Sequence, residues 1–463
     1  MLLVLALLLQ APREARAGAF YLPERGARAL SLGGAFIAGA DDLNAQWLNP
    51  AALTRLSDGF NLYVDFGLIM SDQSFDRADD PEVMRKDPRY ADGFPTAEDQ
   101  GGPFPDPSLG IASNFGLEDW MFAFGFYGPY AGTNEWDPEG PQRYSLVSLQ
   151  AVELFVQLSA AWQPVDELSI GVGLQWIVTT LNQRLVISAY PGVFGWAEQR
   201  DLEAFAQVSA SDMFTLGANF GILWSPIDML DIGVSAQLPA SVEAEGELKV
   251  KKPEHYYFSD VQIEGDQLAV ELDFPLILRL GIRLHDPEER WSVELAGVLE
   301  MWSAFDRIDV APGGDGIYFR DVPGIGTYTV KPFAIEQRAS DVISVRLGGS
   351  FRPGLGALTL RAGGYYESGA TPDATLSVLD VDGDKLGLAL GGTLHLGESV
   401  TVDFVGAWIE TFERTVTTST KTQVNPIYET DPRPFPDAGP SVIGNGTYHA
   451  RNIIVALSLG VAL

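Results

Sequence analysis

Apolar and polar residues alternate along much of the chain, and the alternation is longest between Leu268 and Leu284. All even positions carry Leu, Val, Phe or Ile, whereas the odd positions include the charged residues Glu271 and Asp273. A period of two sustained over this length is the pattern of a β-strand whose two faces meet different surroundings. We therefore predict one continuous strand over residues 267–285.

Similar segments recur throughout the chain and predict an all-β fold of about fourteen strands. They lie at 60–70, 108–116, 120–130, 144–163, 168–184, 213–225, 229–240, 267–285, 290–303, 340–352, 356–367, 385–396, 399–414 and 451–463. Short connections are predicted at 117–119, 164–167, 226–228, 286–289, 353–355 and 397–399. Long polar connections are predicted at 71–107, 131–143, 185–212, 241–266, 304–339, 368–384 and 415–450. Long and short connections alternate, which is typical of an antiparallel up-and-down β-barrel with its long loops at one end.

The character of the two strand faces predicts that this barrel is transmembrane and covers residues 60–463. A barrel of fourteen strands is too wide to be filled by Leu and Phe side chains. We therefore expect the apolar face to meet lipid and the polar face to meet the lumen. The strands have the length of about 10 residues that a tilted membrane strand requires. Because unpaired strand edges are costly in lipid, the sheet is expected to close.

The first 59 residues do not alternate. The apolar run Leu2–Leu9 is too short to span a bilayer, and Ala15-Arg16-Ala17 has the small-residue pattern of a cleavage site. These features predict a signal peptide at 1–17. Residues 18–59 are rich in Gly and Ala, with a short helix predicted over Leu30–Ala40. A small Gly-rich segment before a wide barrel is suited to fold inside the lumen as a plug.

Composition excludes several classes of function. Asp and Glu number 62 against 30 Lys and Arg, giving a formal charge of -32. This balance argues against a nucleic-acid partner, because little is available to neutralise phosphates. The chain has no Cys, which excludes disulfides, thiolate metal sites and a cysteine nucleophile. The four histidines do not share a metal-ligand spacing, and no hydrolase or dinucleotide-binding motif occurs. We expect no enzymatic activity, no cofactor and no metal site.

One acidic stretch, Asp380–Asp384, is similar to a calcium-binding loop. An EF-hand loop needs Gly at its sixth position, which here is Lys385. We therefore favour an acidic, solvated outer loop.

Four arginines are predicted to face the lumen: Arg279, Arg283, Arg346 and Arg361. One of them could hold the carboxylate of a fatty acid, since a guanidinium binds a carboxylate through two parallel hydrogen bonds. The alternative, which we favour, is pairing with acidic lumen residues. The candidates are Glu271, Asp273, Glu294, Glu300 and Asp403.

A break is predicted in the strand at 120–130. Its first part alternates well, and Gly128-Pro129 follows at a depth that should still be within the membrane. Proline cannot donate to a β-ladder, and glycine allows the backbone to kink. The alternative is that Pro129 lies just beyond the membrane, at the start of an outer loop.

The stretch from Gly18 to Leu53 resembles the N-terminal hatch of the FadL family of outer-membrane transporters. The matching elements are Gly34-Ala35-Phe36, Ala40-Asp41-Asp42 and Asn49-Pro50-Ala51. Further likeness lies in AFGFYGPYAGTNEW, in Arg143-Tyr144 and in RAGGYYESGATPDATL near residue 361.

The resemblance implies a monomeric fourteen-stranded barrel in the outer membrane of a Gram-negative bacterium. It implies a hatch at 18–59, with gating residues Gly34, Phe36, Asp41, Asp42, Asn49, Pro50 and Ala51. The alternative for Asn49-Pro50-Ala51 is an ordinary turn, since Asn-Pro favours turn initiation. The resemblance further implies passive uptake of long-chain fatty acids or of aromatic or aliphatic hydrocarbons, with a lateral opening at Gly128 and Pro129. The expected partners are a hydrophobic small molecule and membrane lipid. The alternatives are a general diffusion porin, which needs no N-terminal plug, and a structural or adhesive outer-membrane barrel.

Overall fold

The computed structural model describes residues 26–192, 194–304, 306–322, 325–354, 357–427 and 439–463. The predicted signal peptide, 1–17, lies outside these residues. The described strands are β1 (Phe60–Arg77), β2 (Ala97–Glu98), β3 (Phe104–Ser113), β4 (Trp120–Glu135), β5 (Ser148–Val165), β6 (Leu168–Ser188), β7 (Glu203–Ile227), β8 (Leu230–Gln237), β9 (Ala240–Lys251), β10 (Gln262–Glu264), β11 (Gln267–Phe274), β12 (Ile277–His285), β13 (Trp291–Glu300), β14 (Arg307–Pro312), β15 (Tyr318–Val322), β16 (Gly326–Thr329), β17 (Phe333–Glu336), β18 (Val342–Phe351), β19 (Leu358–Glu367), β20 (Lys385–Leu396), β21 (Val400–Val416) and β22 (Gly446–Ala462).

Helices are few and short in the described part of the chain. The α-helices are Ala27–Ser31, Ala45–Leu48 and Pro81–Lys86, and the 3-10 helices are Pro50–Arg55, Pro88–Tyr90, Arg200–Leu202, Tyr256–Phe258 and Trp302–Ala304. Within these residues, no helix has both the length and the apolar character needed to cross a membrane.

The large sheet closes on itself, because β1 pairs with β22 from Asn61–Ala462 to Arg77–Gly446. Five positions around the barrel are each occupied by two consecutive segments: β2 with β3, β8 with β9, β11 with β12, β13 with β14, and β17 with β18. The result is a closed antiparallel barrel of 14 strands. The predicted all-β up-and-down fold is confirmed. A separate sheet of 3 strands, β10, β15 and β16, lies in the outer loops.

The part of the barrel beside the short turns has the predicted faces. In β12 the side chains of Leu278, Leu280, Ile282 and Leu284 are exposed, whereas Arg279 between them is buried. Exposed tryptophans stand next to four of the short turns, at Trp120, Trp162, Trp224 and Trp291. Such an aromatic girdle beside an apolar band is the pattern of a membrane barrel near one lipid–water interface.

The prediction of one continuous strand over 267–285 is wrong. The structure divides it into β11 and β12 at Pro275-Leu276, and the facing β8 and β9 are divided at Leu238-Pro239. The breaks reverse the strand faces: Leu268, Val270 and Phe274 are buried, whereas Glu271 and Asp273 are exposed. The apolar face of β11 therefore points into the barrel and not at lipid. Proline cannot donate to a ladder, so each break coincides with a residue that a continuous strand would exclude.

The loops predicted at 185–212 and 241–266 are also partly strand. Strand β6 continues to Ser188, β7 starts at Glu203, and β9 occupies much of the second region. We call β9, β11, β14 and the adjoining ends of β6 and β7 the collar. Its outer face carries residues such as Glu243 and Glu245, which made the region appear loop-like, while Val242 and Ala244 are buried. The collar thus has an apolar interior and a polar exterior, the reverse of the membrane part.

Candidate functional site

The described residues 26–59, which we call the lumenal segment, lie inside the barrel. Its first helix is Ala27–Ser31, and Gly33 and Gly34 follow with φ of +61° and +74°. Such left-handed conformations end a helix and suit glycine. The prediction of a helix over Leu30–Ala40 is therefore wrong in its position. Almost every side chain from Ala27 to Leu53 is buried, including Phe36 and Trp47.

Polar side chains from distant strands hold the lumenal segment by its backbone. Glu294 of β13 accepts hydrogen bonds from the amides of Ile37 at 2.7 Å, Ala38 at 2.8 Å and Gly39 at 2.8 Å. On β7, three strands away around the barrel, Asn219 donates to the carbonyl of Gln46 at 2.7 Å. Bonds from backbone amides to a carboxylate are among the stronger hydrogen bonds in proteins. The segment is therefore fixed to the wall at two places.

Glycines on the strands allow the segment to approach the wall closely. A Cβ atom at Gly171 of β6 would lie 2.2 Å from the carbonyl carbon of Pro50. A Cβ at Gly363 of β19 would lie 2.0 Å from the carbonyl carbon of Leu32. Glycine inside a strand is expected where another backbone comes this near.

An ionic cluster surrounds Arg28 of the lumenal segment. Its guanidinium lies 2.7 Å from Asp41, 3.1 Å from Asp403 of β21 and 3.9 Å from Asp42. Burial raises the pKa of the Asp42 carboxyl to about 7, an effect that Arg28 opposes and that Asp41 and Asp403 reinforce. The cluster joins the segment to the wall through charge as well as through backbone contacts.

Asn49-Pro50-Ala51 forms a link between two parts of the segment and the wall. The Asn49 amide donates to the carbonyl of Ile37 at 2.9 Å and to that of Ile222 on β7 at 3.3 Å. Its side-chain oxygen accepts from the amide of Ala51 at 3.2 Å, capping the 3-10 helix that Pro50 begins. This turn is buried and bonded on both sides.

A cavity of about 1020 Å³ lies within the collar, on the side of the long loops. Its wall is mostly apolar and includes Leu181, Leu185, Val208, Leu248, Val270 and Val310. Pockets of about 300–1,000 Å³ with apolar walls are typical of small-molecule sites. Lys331, Arg338 and Lys421 also line it. Burial lowers the pKa of the Lys421 ammonium to about 8.

Aromatic rings lie between the cavity and the lumenal segment. Tyr130 stacks on Phe274 with ring centroids 4.4 Å apart, and Trp302 contacts Tyr130 edge-on at 6.2 Å. Phe155 connects these rings to Trp47 of the lumenal segment. The ring centroid of Phe155 is 6.0 Å from that of Tyr130 and 5.7 Å from that of Trp47. A molecule against the cavity floor therefore lies two ring contacts from the segment.

The barrel wall has a gap between β3 and β4. These strands pair only from Ser113–Phe122 to Leu109–Phe126, although β4 continues to Glu135. The gap is bounded at its far end, where the amide of Gln100 donates to the carbonyl of Glu135 at 2.7 Å. A space of about 140 Å³ lies behind it, lined in part by Gly102, Phe104, Gly132 and Thr133.

The two residues of the predicted break lie at this gap. On the β5 side the pairing shifts between Tyr127–Phe155 and Tyr130–Glu153, so Gly128 and Pro129 stand against Leu154 alone, a β-bulge. Pro129 lies within β4 and does not begin a loop, while its position within the membrane stays a prediction. The opposite edge carries Pro105 and Pro107 of β3.

The sequence model of the family "Outer membrane protein transport protein (OMPP1/FadL/TodX)" matches residues 8–433. The chain belongs to this family. It is an outer-membrane protein of the FadL/TodX type. No curated protein matches it by sequence.

Solved structures of this type share the fold. A Pseudomonas aeruginosa FadL homologue is similar with a TM-score of 0.75 and 16% identity over 96% of this chain and 99% of that chain. The Pseudomonas putida toluene transporter TodX has a TM-score of 0.65 and 16% identity over 96% and 100% of the chains. The Ralstonia pickettii toluene transporter TbuX has a TM-score of 0.62 and 16% identity over 94% and 98%.

In this FadL/TodX-family barrel three of the predicted arginines, Arg279, Arg346 and Arg361, are buried and Arg283 is half-buried, but the four do not form one site. Arg283 is 3.1 Å from Asp231, Arg346 is 3.3 Å from Glu367, and Arg361 is 3.3 Å from Asp403. The guanidinium of Arg279 lies over the Trp47 ring, 4.8 Å from its centroid. Of the acidic partners proposed from the sequence, Glu271 and Asp273 are on the outer face of the collar and Glu294 holds the lumenal segment.

The stretch similar to a calcium loop is used internally. Asp382 is buried and accepts from the amides of Ala370 at 3.2 Å and Thr371 at 2.9 Å. Asp380 accepts from the Thr371 hydroxyl at 2.7 Å. The interpretation as a solvated loop is therefore wrong for Asp382. Across the described ranges, no group of His, Asp and Glu is arranged to hold a metal ion.

Several residues of the site were not predicted. Trp47 lies in the stretch that resembles the hatch, but the sequence assigned it no role. Pro105 and Pro107 lie in the long connection predicted at 71–107. Two prolines spaced by one residue opposite Gly128-Pro129 are a signal that a ladder is interrupted on both edges. Glu153 and Thr179, which line the cavity, gave no signal beyond their place in alternating strands.

Proposed function

We propose that the protein is a passive channel for small hydrophobic molecules, either aromatic or aliphatic hydrocarbons or long-chain fatty acids. The observation that carries the proposal is the large apolar cavity within the collar, above a lumen that the lumenal segment fills. Moving apolar surface from water into such a cavity is favourable by about 25 cal/mol per Å². TodX and TbuX, which share the fold, are toluene transporters. A general porin is disfavoured, because the segment obstructs a straight aqueous path.

We further propose that the lumenal segment acts as a hatch. A ligand on the cavity floor would press on Tyr130, Phe274 or Trp302, and the rings lead to Trp47, two residues before Asn49. Displacement of Trp47 would shift Asn49, Pro50 and Ala51. It would also disturb the ionic cluster that Arg28 forms with Asp41 and Asp42. The turn at Gly34 and the buried Phe36 belong to the same unit. Since one chain closes the barrel, we propose that it acts as a monomer.

We propose that the ligand leaves sideways, through the gap between β3 and β4. A hydrophobic molecule that continued into water would lose the apolar contacts that favoured its capture. Leu154 and Val152 on the neighbouring β5 are exposed beside the gap, which supports an opening within the apolar band. Lateral exit at Gly128 and Pro129 avoids that loss.

Uptake of labelled toluene and labelled oleate by host cells that lack a related channel tests this function. Two variants fill the gap from its two edges: Gly128→Trp, and Gly102→Trp, where a Cβ meets no atom within 4 Å. Gly406→Trp is the matched control, because Gly406 faces outward and is equally open. We expect uptake above the empty host for the wild type and the control, and near-background uptake for the filled variants.

Two outcomes would contradict the proposal. If the wild type raises uptake of neither compound, the protein is not a channel for this class. If both filled variants transport as well as Gly406→Trp, lateral exit at this gap is excluded while the channel function stands. Heat-modifiable mobility on gels verifies that each variant is a folded barrel.

A further inference from the structure

We propose that Glu153 and Thr179 form a hydrogen-bonding subsite in the cavity that selects hydrophobic ligands carrying an uncharged hydroxyl group, above all phenols. The inference rests on the proposed function and names a substrate class for the same cavity. It concerns two polar side chains in a wall that is otherwise largely apolar.

The two side chains are neighbours that point into the cavity. Glu153 of β5 is paired in register with Thr179 of β6 on one side and with Tyr130 of β4 on the other. Residues opposite one another in adjacent antiparallel strands project from the same face of the sheet. All three residues line the cavity.

Both side chains are buried with unused hydrogen-bonding capacity. Glu153 is 7% exposed and Thr179 is 2% exposed. Oε2 of Glu153 and the hydroxyl of Thr179 have no hydrogen-bond partner in the described part of the chain. Buried polar atoms in proteins are nearly always bonded, so an unpaired pair on a cavity wall indicates a partner that arrives from outside.

The polar residues nearer the lumenal segment show a contrasting arrangement. Gln175 donates to Gln157 at 3.0 Å and to Gln237 at 2.8 Å, and Gln157 donates to the carbonyl of Gln46 at 2.8 Å. That belt of amides is satisfied within the protein and serves the segment. Glu153 and Thr179, on the same strands but at the level of the cavity, are not used in this way.

A hydroxyl group matches this pair better than the alternatives. It can donate to Oε2 of Glu153 and accept from the Thr179 hydroxyl at the same time. A hydrocarbon would leave both atoms unpaired, and a carboxylate would bring a second acidic group against Glu153. The stacked rings of Tyr130 and Phe274 adjoin the subsite, and aromatic faces of this kind pack well against a phenol ring.

The test compares 4-methylphenol with para-xylene, which differ by a hydroxyl in place of a methyl group. Binding of each to the purified full chain in detergent is measured alongside uptake by cells. Because each lost hydrogen bond leaves a buried group unpaired, we expect the wild type to prefer 4-methylphenol by about tenfold. The variants Thr179→Val and Glu153→Leu should lose that preference, because 4-methylphenol loses a hydrogen-bond partner and para-xylene no longer leaves that group unpaired.

Two further variants serve as controls. Thr180→Val makes the same change on the exposed outer face of β6 and should retain the full preference. Glu153→Gln keeps an acceptor and a donor without charge, so it should also retain most of the preference. Para-xylene affinity at least equal to that of the wild type shows that a variant still has a folded cavity.

The outcomes separate this inference from the proposed function. Equal affinity of the wild type for the two compounds, or an unchanged ratio in Thr179→Val and Glu153→Leu, overturns the subsite even if both compounds are taken up. Loss of the preference in Glu153→Gln shows that the negative charge of Glu153 is required, and it overturns recognition by uncharged hydrogen bonding alone. Selective binding without uptake overturns the channel function and leaves the subsite standing.

Discussion

Two kinds of residue hold the lumenal segment, and they act in opposite ways. Glycines such as Gly171 and Gly363 remove side chains so that two backbones approach, whereas Glu294 reaches across to accept three amides of the segment. The first allows close packing and the second satisfies backbone groups that would otherwise be buried without partners. The segment is therefore fitted to this wall and does not merely occupy the lumen.

At this scale we predict that Gly171→Val displaces the Asn49–Ala51 turn. A valine Cβ would stand 2.2 Å from the carbonyl carbon of Pro50, which is too close for two carbon atoms. Overpacking of this kind costs about 1–3 kcal/mol. Hydrogen exchange at the amides of residues 45–55 should accelerate at least several-fold, while the barrel stays resistant to heat, because its ladder does not involve the segment.

The control is Gly297→Val, on an outward-facing site where a Cβ meets nothing within 4 Å. It should leave exchange in the segment unchanged. Equal exchange in Gly171→Val and the wild type would show that the segment tolerates the loss of this contact.

The sequence predicts some of these residues and not their roles. Alternation indicates that Glu294 and the four arginines face inward, and a resemblance singles out Asn49-Pro50-Ala51. It does not indicate which inward residues meet across the lumen, since Glu294 and Ile37 are separated by 257 positions. Likewise, Oε2 of Glu153 is unpaired because no other described strand supplies a hydrogen-bond donor to it.

At the scale of elements, the barrel changes character along its axis. In β12 the even-numbered residues face lipid, and in β11 they line the cavity. The change occurs at Pro275-Leu276, which removes two residues from the ladder and reverses the faces. Strands β11 and β12, which occupy one position around the barrel, thus form part of the cavity at one end and of the lipid-facing wall at the other.

This reversal predicts different outcomes for the same substitution on either side of the break. Leu280→Arg places a charge on the lipid face, which costs about 2–4 kcal/mol near the middle of the bilayer, and should lower the yield of folded barrel in the outer membrane. Leu272→Arg places the charge in the cavity and should leave that yield near the wild-type level while hydrophobe uptake falls. Heat-modifiable mobility of membrane fractions measures the first effect and labelled toluene the second.

If Leu272→Arg abolished membrane assembly as strongly as Leu280→Arg, the even face of β11 would have to meet lipid. Glu271→Leu provides the complementary control, because Glu271 is exposed on the collar exterior and assembly should be unaffected.

The period of two could not reveal the reversal. A break of two residues leaves the even positions apolar on both sides, so the pattern continues while the faces exchange surroundings. The informative residue was Pro275, because proline within an alternating run argues against a continuous strand. The collar strand β9 was missed for a related reason: its outer face is charged, and the polarity resembles that of a loop.

At the scale of the whole molecule, the number of strands and the order of connections were predictable because both follow from local patterns. The ends of the strands were not predictable, because β6 and β7 continue beyond the membrane. There, lipid no longer determines which residues are exposed. Closure depends on pairing between β1 and β22, which are the most distant strands in the sequence.

The topology predicts which connections are accessible in intact cells. An epitope tag at Gly93, in the long connection between β1 and β2, should bind antibody without permeabilisation, because the long loops are predicted to face the cell exterior. A tag at Asp166, in the short turn between β5 and β6, should bind only after the outer membrane is permeabilised. Equal labelling of both tags in intact cells would exclude this orientation, and equal labelling after permeabilisation verifies that both tags are displayed.

The collar's reversed polarity has an evolutionary consequence. Side chains such as Val208 and Leu248 line the cavity, so under the proposed function they determine which molecules it can hold. Selection can therefore alter the cargo through these positions without endangering membrane assembly, which is governed by other residues of the same strands. A bacterial lineage that meets a new pollutant or nutrient can change the residues that line the cavity and keep the residues that hold the barrel in the membrane.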